Sequence, residues 1–170
     1  MDYELVAIDE VSFQLTTSYK RIWFLKGERP KGAFFWSNKK LITFGALTSN
    51  HEFYYDFYDA QNSLTFCNFL RNLFDWLDPN KKYVLILDNA GFHKTSCVKN
   101  LLKKYGGRIA VEHIPPYSPE LNPIETSWKV TKHAVTKSQY FASIDAMQEA
   151  LEIFWEKHIF KQDFITYLCR

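Results

Sequence analysis

Apolar residues fall in short blocks separated by turn-forming residues. Residues 3–9, Tyr-Glu-Leu-Val-Ala-Ile-Asp, are an apolar run that ends in an acid and predicts a buried strand. Residues 12–38 lack a clear period; Gly27, Pro30 and Gly32 predict turns there, and a short strand over 22–25 fits between them. Residues 41–47 and 53–58 read as two strands, with Thr48-Ser49-Asn50 suited to a hairpin turn. With Asn62 or Ser63 as cap, Cys67, Leu70, Phe74 and Leu77 recur at helical spacing, and Pro79 follows the helix end. Residues 83–87 are continuously apolar, the pattern of a central strand covered on both faces, and this run also ends in an acid, Asp88. Val98, Leu101, Leu102 and Tyr105 stripe a second helix that Gly106-Gly107 would stop, and residues 108–113 form a further strand. A proline-rich connection over 115–123 leads into Asn122-Pro123-Ile124-Glu125, a helix start with Asn at the N-cap, Pro at N1 and Glu at N3. Ile144, Met147, Leu151 and Phe154 stripe a last helix over 143–158.

The order is strand, hairpin, helix, strand, helix, strand, helix, helix. It predicts an α/β protein with a mixed sheet flanked by helices, and it matches the order of RNase H-like (retroviral integrase-like) folds. The length, 170 residues, fits one domain spanning 1–170, and no internal repeat is visible. Apolar residues make up 46% and charged residues 24%, an ordinary globular composition. Aromatic residues, at 18%, suit packing first and base stacking second.

The net charge of +2 does not announce a nucleic-acid binder, but its distribution is uneven. Residues 94–137 carry 8 basic and 3 acidic side chains, against 10 and 11 in residues 1–93. That middle block is either a phosphate-facing region or a solvated helix face. Cys67, Cys97 and Cys169 are scattered without a C-x-x-C pair, which argues against disulfides and a structural zinc site. No signal peptide or membrane-spanning apolar run is visible, so a cytoplasmic protein is expected.

Two hydrophobic strands that end in Asp, and a helix that begins with Glu, bring acids to the end of a sheet where ligands gather. Three carboxylates there repel one another unless protonated or metal-bound. Hard oxygen donors suit Mg²⁺ or Mn²⁺, and two ions about 3.5–4 Å apart can serve the attacking and leaving oxygens of a phosphodiester. Each acid also has a plain alternative: Asp9 as a strand-end turn residue, Asp88 as the start of an Asx turn, and Glu125 as the N3 member of a capping box.

The surrounding residues decide between these readings. Asp88-Asn89-Ala90-Gly91-Phe92-His93-Lys94 and the string from His113 through Pro-Pro-Tyr-Ser-Pro-Glu-Leu-Asn-Pro-Ile to Glu125, then Trp128, closely resemble DDE transposases. The branch is the bacterial and archaeal insertion-sequence relatives of the mariner superfamily. Asp9-Glu10, with Trp23 and Gly27 downstream, matches the family's opening block, and 36 residues separate Asp88 from Glu125, close to the family's spacing. The resemblance runs from about residue 3 to residue 160.

It implies a DDE superfamily endonuclease with Asp9, Asp88 and Glu125 as catalytic metal ligands for Mg²⁺ or Mn²⁺, two ions in all. Strand alternation sends Glu10 to the face opposite Asp9, consistent with its matching a non-ligand position. The implied reaction is cleavage of double-stranded DNA at terminal inverted repeats, followed by strand transfer into target DNA at TA dinucleotides. The implied assembly is a homodimer on DNA through the segment 12–38, with no membrane partner. His93 and Lys94, with Lys129 and Lys132, are candidate DNA contacts; for His93 a structural hydrogen-bonding role stands equally, as a turn does for Asn89. Trp128 is expected to pack beneath the site. The family's N-terminal helix-turn-helix region has no counterpart in this sequence. Two rivals remain: an RNase H-like nuclease on hybrid or branched nucleic acid, and a catalytically silent DNA-binding protein derived from a transposase.

Overall fold

The computed structural model describes residues 3–17, 23, 25–28, 35–137 and 139–169. Five strands form one mixed sheet in the order β3-β2-β1-β4-β5. The strands are β1 (Tyr3–Gln14), β2 (Lys40–Thr48), β3 (Phe53–Tyr58), β4 (Lys82–Leu87) and β5 (Ile109–His113). β1–β2–β3 is an antiparallel meander, and β4 and β5 join β1 in parallel. Parallel neighbours need crossover connections, supplied here by the helices α1 (Ser63–Trp76) and α2 (Ser96–Lys104). Three more helices follow: α3 (Pro123–Thr131), α4 (Ile144–Lys157) and α5 (Phe164–Leu168).

Helices cover both faces. On one, Phe66, Phe69, Leu70 and Leu73 of α1 and Val98 of α2 pack on Val6, Ile8, Phe44 and Leu85. On the other, Ile124 and Trp128 of α3 and Met147, Leu151 and Trp155 of α4 pack on Ala7, Phe13, Leu47 and Ile86. β1 is thus apolar on both sides, and its odd and even positions serve different layers. Asp9 shares the α3/α4 face with Ala7 and Val11, and Glu10 shares the α1/α2 face with Val6 and Ile8.

The helix starts follow local chemistry. The Asn62 side chain accepts the backbone N–H of Leu64 at 2.9 Å and of Thr65 at 3.1 Å, while the Thr65 hydroxyl accepts the Asn62 N–H. α2 ends at Lys104 without a left-handed glycine, because the Tyr105 and Gly106 amides bond back to Leu102 and Lys103.

The observed elements differ from the expected ones in two places. β1 does not stop at residue 9: its pairing with β2 runs on to Gln14↔Lys40, because β2 offers a partner along the whole length. Asp9 therefore lies inside a strand, and residues 12–14 belong to the sheet. A π-helical turn, Lys132–Thr136, follows α3, and α5 adds a short helix that weak periodicity hid. The strand expected over 22–25 and the turns expected at Pro30 and Gly32 lie wholly or partly outside the described residues.

The register sets Gly45 of β2 opposite Asp9 of β1. A Cβ built on Gly45 would collide with Cη2 of Trp128, stand 2.7 Å from its Cζ2, and 3.3 Å from Cδ1 of Ile124. The absent side chain is the space in which the indole lies. Gly45→Ala should destabilise the protein by roughly 1–3 kcal/mol through overpacking, read from urea denaturation. Adding Trp128→Phe should recover part of that loss. Equal midpoints for the parent and Gly45→Ala proteins would show that the contact is not tight.

Candidate active site

β1 and β4 run in parallel with Ala7 beside Ile86, and the same register two residues on sets Asp9 beside Asp88. Asp88 is the first residue past β4, and Glu125 lies in the first turn of α3. The three acids line one pocket of about 510 Å³, with Asn89, Asn122 and the connection from Ile114 through Pro119. The pairing of β5 with β4 aims that connection, since the Ile114 N–H donates to the Leu87 carbonyl at 2.9 Å and the Asn89 side-chain amide donates to the Ile114 carbonyl.

Each acid is held differently. The Trp128 indole N–H donates to Oδ2 of Asp9 at 3.1 Å, so this buried tryptophan both packs beneath the pocket and orients the first acid. Asp88 accepts the Ala90 N–H through Oδ1 at 2.8 Å, the Asx turn left open by the sequence. Glu125 is half-buried, and no capping bond holds it: the Asn122 N–H donates to the Pro119 carbonyl instead. Asn122 occupies the N-cap position without capping, because its buried side-chain amide donates to the Ile8 carbonyl at 3.3 Å. The Asn122 amide oxygen is buried with no partner.

His93 corrects an expectation. It does not face solvent as a DNA contact: it is 3% exposed, with the Phe66 and Phe92 rings 4.2 Å and 4.4 Å away. Its Nε2 lies 2.7 Å from Oε1 of Glu10 and its Nδ1 2.9 Å from Oδ1 of Asp88. Two carboxylates have drawn the ring inward. Among the lysines, Lys94 donates to Oδ1 of Asn89 at 2.6 Å beside the pocket. Lys129 and Lys132 are exposed at the far end of α3, where Lys132 Nζ stands 6.0 Å from the Phe13 ring. Arg108 of the basic block is drawn into the fold, over the Tyr83 ring and against the Leu77 carbonyl.

Burial, then the charges of Glu10 and Glu125 and, less strongly, of Asp88, push the Asp9 carboxyl up to about 8. The His93 hydrogen bond holds Asp88 below the usual carboxylate range, against its partial burial. Burial alone would depress His93, but hydrogen bonds to Asp88 and Glu10 raise it to about 9.

The pocket offers hard oxygen donors, among them three carboxylates and the amide oxygen of Asn122, which has no partner among the described residues. That set suits Mg²⁺ or Mn²⁺. Among the described residues, no three His, Cys, Asp or Glu side chains are so placed that they could hold an ion as they stand. Like charges in one pocket repel, so a preassembled cluster is not the favoured arrangement without a cation. No helix among the described residues is long and apolar enough to cross a membrane.

Comparison with known proteins adds three findings. A family model described as DDE superfamily endonuclease matches residues 4–148. An uncharacterized protein of Sinorhizobium fredii, y4pE/y4sA, is 32% identical over 81 residues, covering 48% of this chain and 56% of that protein. Among solved structures, the Mos1 transposase paired-end complex with left transposon end superposes with a TM-score of 0.78 at 18% identity, over 96% of this chain and 51% of that one. The Mos1 mariner paired end complex with Mn gives 0.75 at 17% identity, over 96% and 52%. The chain thus spans about half the length of these relatives. The likeness is one of fold, and the fold is the RNase H-like one.

A folded-state Asp9 pKa of about 8, above the ordinary carboxyl value of 3.8, sets the sign of a pH effect. Asp9 contributes stability below the lower value and loses it as pH rises through the higher one. In EDTA, the melting temperature of Asp9→Asn should gain on that of the unsubstituted protein from pH 5 to pH 8. A constant difference across that range would show that Asp9 titrates normally.

Proposed function

This chain belongs to the DDE superfamily endonucleases, and on that premise we propose that it is the catalytic domain of a transposase, cutting and joining DNA with divalent metal. The observation that carries the reading is the convergence of Asp9, Asp88 and Glu125, from β1, the end of β4 and the start of α3, on one pocket. These three would hold Mg²⁺ or Mn²⁺, with the Asn122 amide oxygen as a further hard donor. A pair of ions bound there would supply positive charge at the attacking and leaving oxygens of a phosphodiester.

In the first step a water oxygen bonds to phosphorus, the bond to the 3′ oxygen breaks, and a 3′-OH is left on the element end. In the second, that 3′-OH attacks a phosphodiester of the target, one P–O bond forming as another breaks. The protein's share is positioning: Trp128 orients Asp9, and the Asx turn orients Asp88. The exposed Lys94, Lys129 and Lys132 suit duplex phosphates, and DNA as partner accords with the transposon end bound to Mos1. A homodimer on DNA belongs to the same reading. Recognition of a terminal repeat would fall to a region beyond this domain.

Asp9→Asn, Asp88→Asn and Glu125→Gln should each abolish Mn²⁺-dependent nicking of a terminal-repeat duplex while the protein stays folded. Glu125→Gln decides most, because glutamine still serves at N3 of a helix. Cleavage by that variant at the parent rate would remove Glu125 from the ligand set.

DNA binding by this domain alone should be weak and tolerant of sequence, with a dissociation constant of about 10⁻⁴–10⁻⁶ M at physiological salt, and should fall steeply as salt rises. Titration of matched and scrambled repeats at two salt concentrations measures it. Tight, repeat-selective binding would mean that this domain reads sequence itself.

A further inference from the structure

Glu10 is the neighbour of Asp9 on β1 and points to the other face of the sheet, where it meets His93. The His93 ring returns to Asp88, so a continuous bridge runs Glu10–His93–Asp88 through buried space. Two of its contacts are short, at 2.7 Å and 2.9 Å, and the side chains of His93 and Glu10 are 1% and 4% exposed. Asp88 itself is partly open to solvent, at 44%.

The bridge is asymmetric at Asp88. Both the Ala90 N–H and His93 Nδ1 address the same carboxylate oxygen, Oδ1, at 2.8 Å and 2.9 Å. Among the described residues Oδ2 has no protein partner. His93 Nδ1 also lies 3.5 Å from the Asp88 carbonyl, so the ring faces both the carboxylate and its backbone. Contacts to Oδ1 from two directions restrict rotation of the carboxylate and favour one bearing for Oδ2. The ring that holds it cannot turn either, since Phe66 and Phe92 pack on it within 4.2–4.4 Å and Glu10 fixes its far nitrogen. Outer groups that orient a ligand in this way commonly govern metal affinity.

We propose that His93 is a positioning residue for the acid pocket: anchored by Glu10, it fixes Oδ1 of Asp88 and so presents Oδ2 to a divalent cation. This rests on the metal-dependent reading given above. Consecutive residues of β1 then serve one site from two sides. Asp9 reaches the pocket directly, and Glu10 reaches it through the sheet and back by way of His93. Of the two roles that the sequence left open for His93, its burial favours the hydrogen-bonding one.

A pair of substitutions separates positioning from simple core filling. Asparagine places its amide nitrogen near the site of Nδ1, so His93→Asn keeps a donor to Asp88 and gives up Glu10. Glutamine reaches the site of Nε2, so His93→Gln keeps Glu10 and gives up Asp88. The readout is Mn²⁺ affinity of the DNA-free protein, from electron paramagnetic resonance of unbound Mn²⁺, with metal-free melting temperatures taken alongside. His93→Gln should weaken Mn²⁺ binding about 10–100-fold, the usual effect of losing such an outer group, while His93→Asn stays within about threefold of the parent. Both should melt earlier than the parent. Equal Mn²⁺ affinities in the two variants, whether both reduced or both unchanged, would overturn the proposal.

Should neither variant fold, Mg²⁺ titration of the unsubstituted protein labelled with ¹⁵N-histidine decides. The His93 Nδ1 resonance should shift as the ion binds, and an unmoved resonance under saturating Mg²⁺ would overturn the proposal. A parent protein that binds neither ion and nicks no DNA would instead sink the functional reading beneath it.

Discussion

A carboxylate buried inside a central strand must be protonated, paired or coordinated, because a low-dielectric surround penalises its charge. Asp9 is that carboxylate. Its strand has a neighbour on either side, helices cover both faces, and the nearest charges are other acids. One indole N–H is the only side-chain donor it receives among the described residues. The fold therefore keeps an electrostatic deficit at this point, and the pocket is organised around it. A divalent cation would relieve the deficit for all three acids at once.

Much of the packing around β1 can be traced to that need. Trp128 reaches Asp9 only because β2 has no side chain at Gly45, so a glycine in one strand, an indole in one helix and an acid in the neighbouring strand form a single arrangement. On the opposite face, Glu10 and His93 make a buried charged pair within an aromatic layer, where its desolvation is offset only by close geometry and satisfied hydrogen bonds. Clusters of this kind, with carboxyls pushed both above and below their usual range, are characteristic of sites where chemistry is done.

The elements themselves were largely legible. Continuous apolar runs marked β1 and β4, turn residues marked the hairpin, and helical spacing marked α1 and α4, with Asn62 or Ser63 as the cap of α1. The end of β1 was not, because Val11-Ser12-Phe13 looks like loop until β2 is known to lie alongside. The motif singled out Asp9, Asp88 and Glu125, which line one pocket, but it gave no sign of their different supports. Gly45 carries no signal in one sequence, since its role is the space it leaves for a residue 83 positions later. The Glu10–His93 bridge joins residues equally far apart, and alternation along β1 gave only half of it, the face to which Glu10 points. Asn122 was misread as a cap because sequence shows its position and not the Ile8 carbonyl that claims its side chain.

Asp9, Asp88 and Glu125 are proposed to form a divalent-metal site that the ion itself completes. Crystals of the protein soaked in Mn²⁺ and measured at the manganese absorption edge decide whether they do. An anomalous peak is expected between the three carboxylates, with their oxygens drawn closer together than in the metal-free protein. No peak there at saturating Mn²⁺, or a well-occupied peak elsewhere with the three acids still apart, would rule the site out.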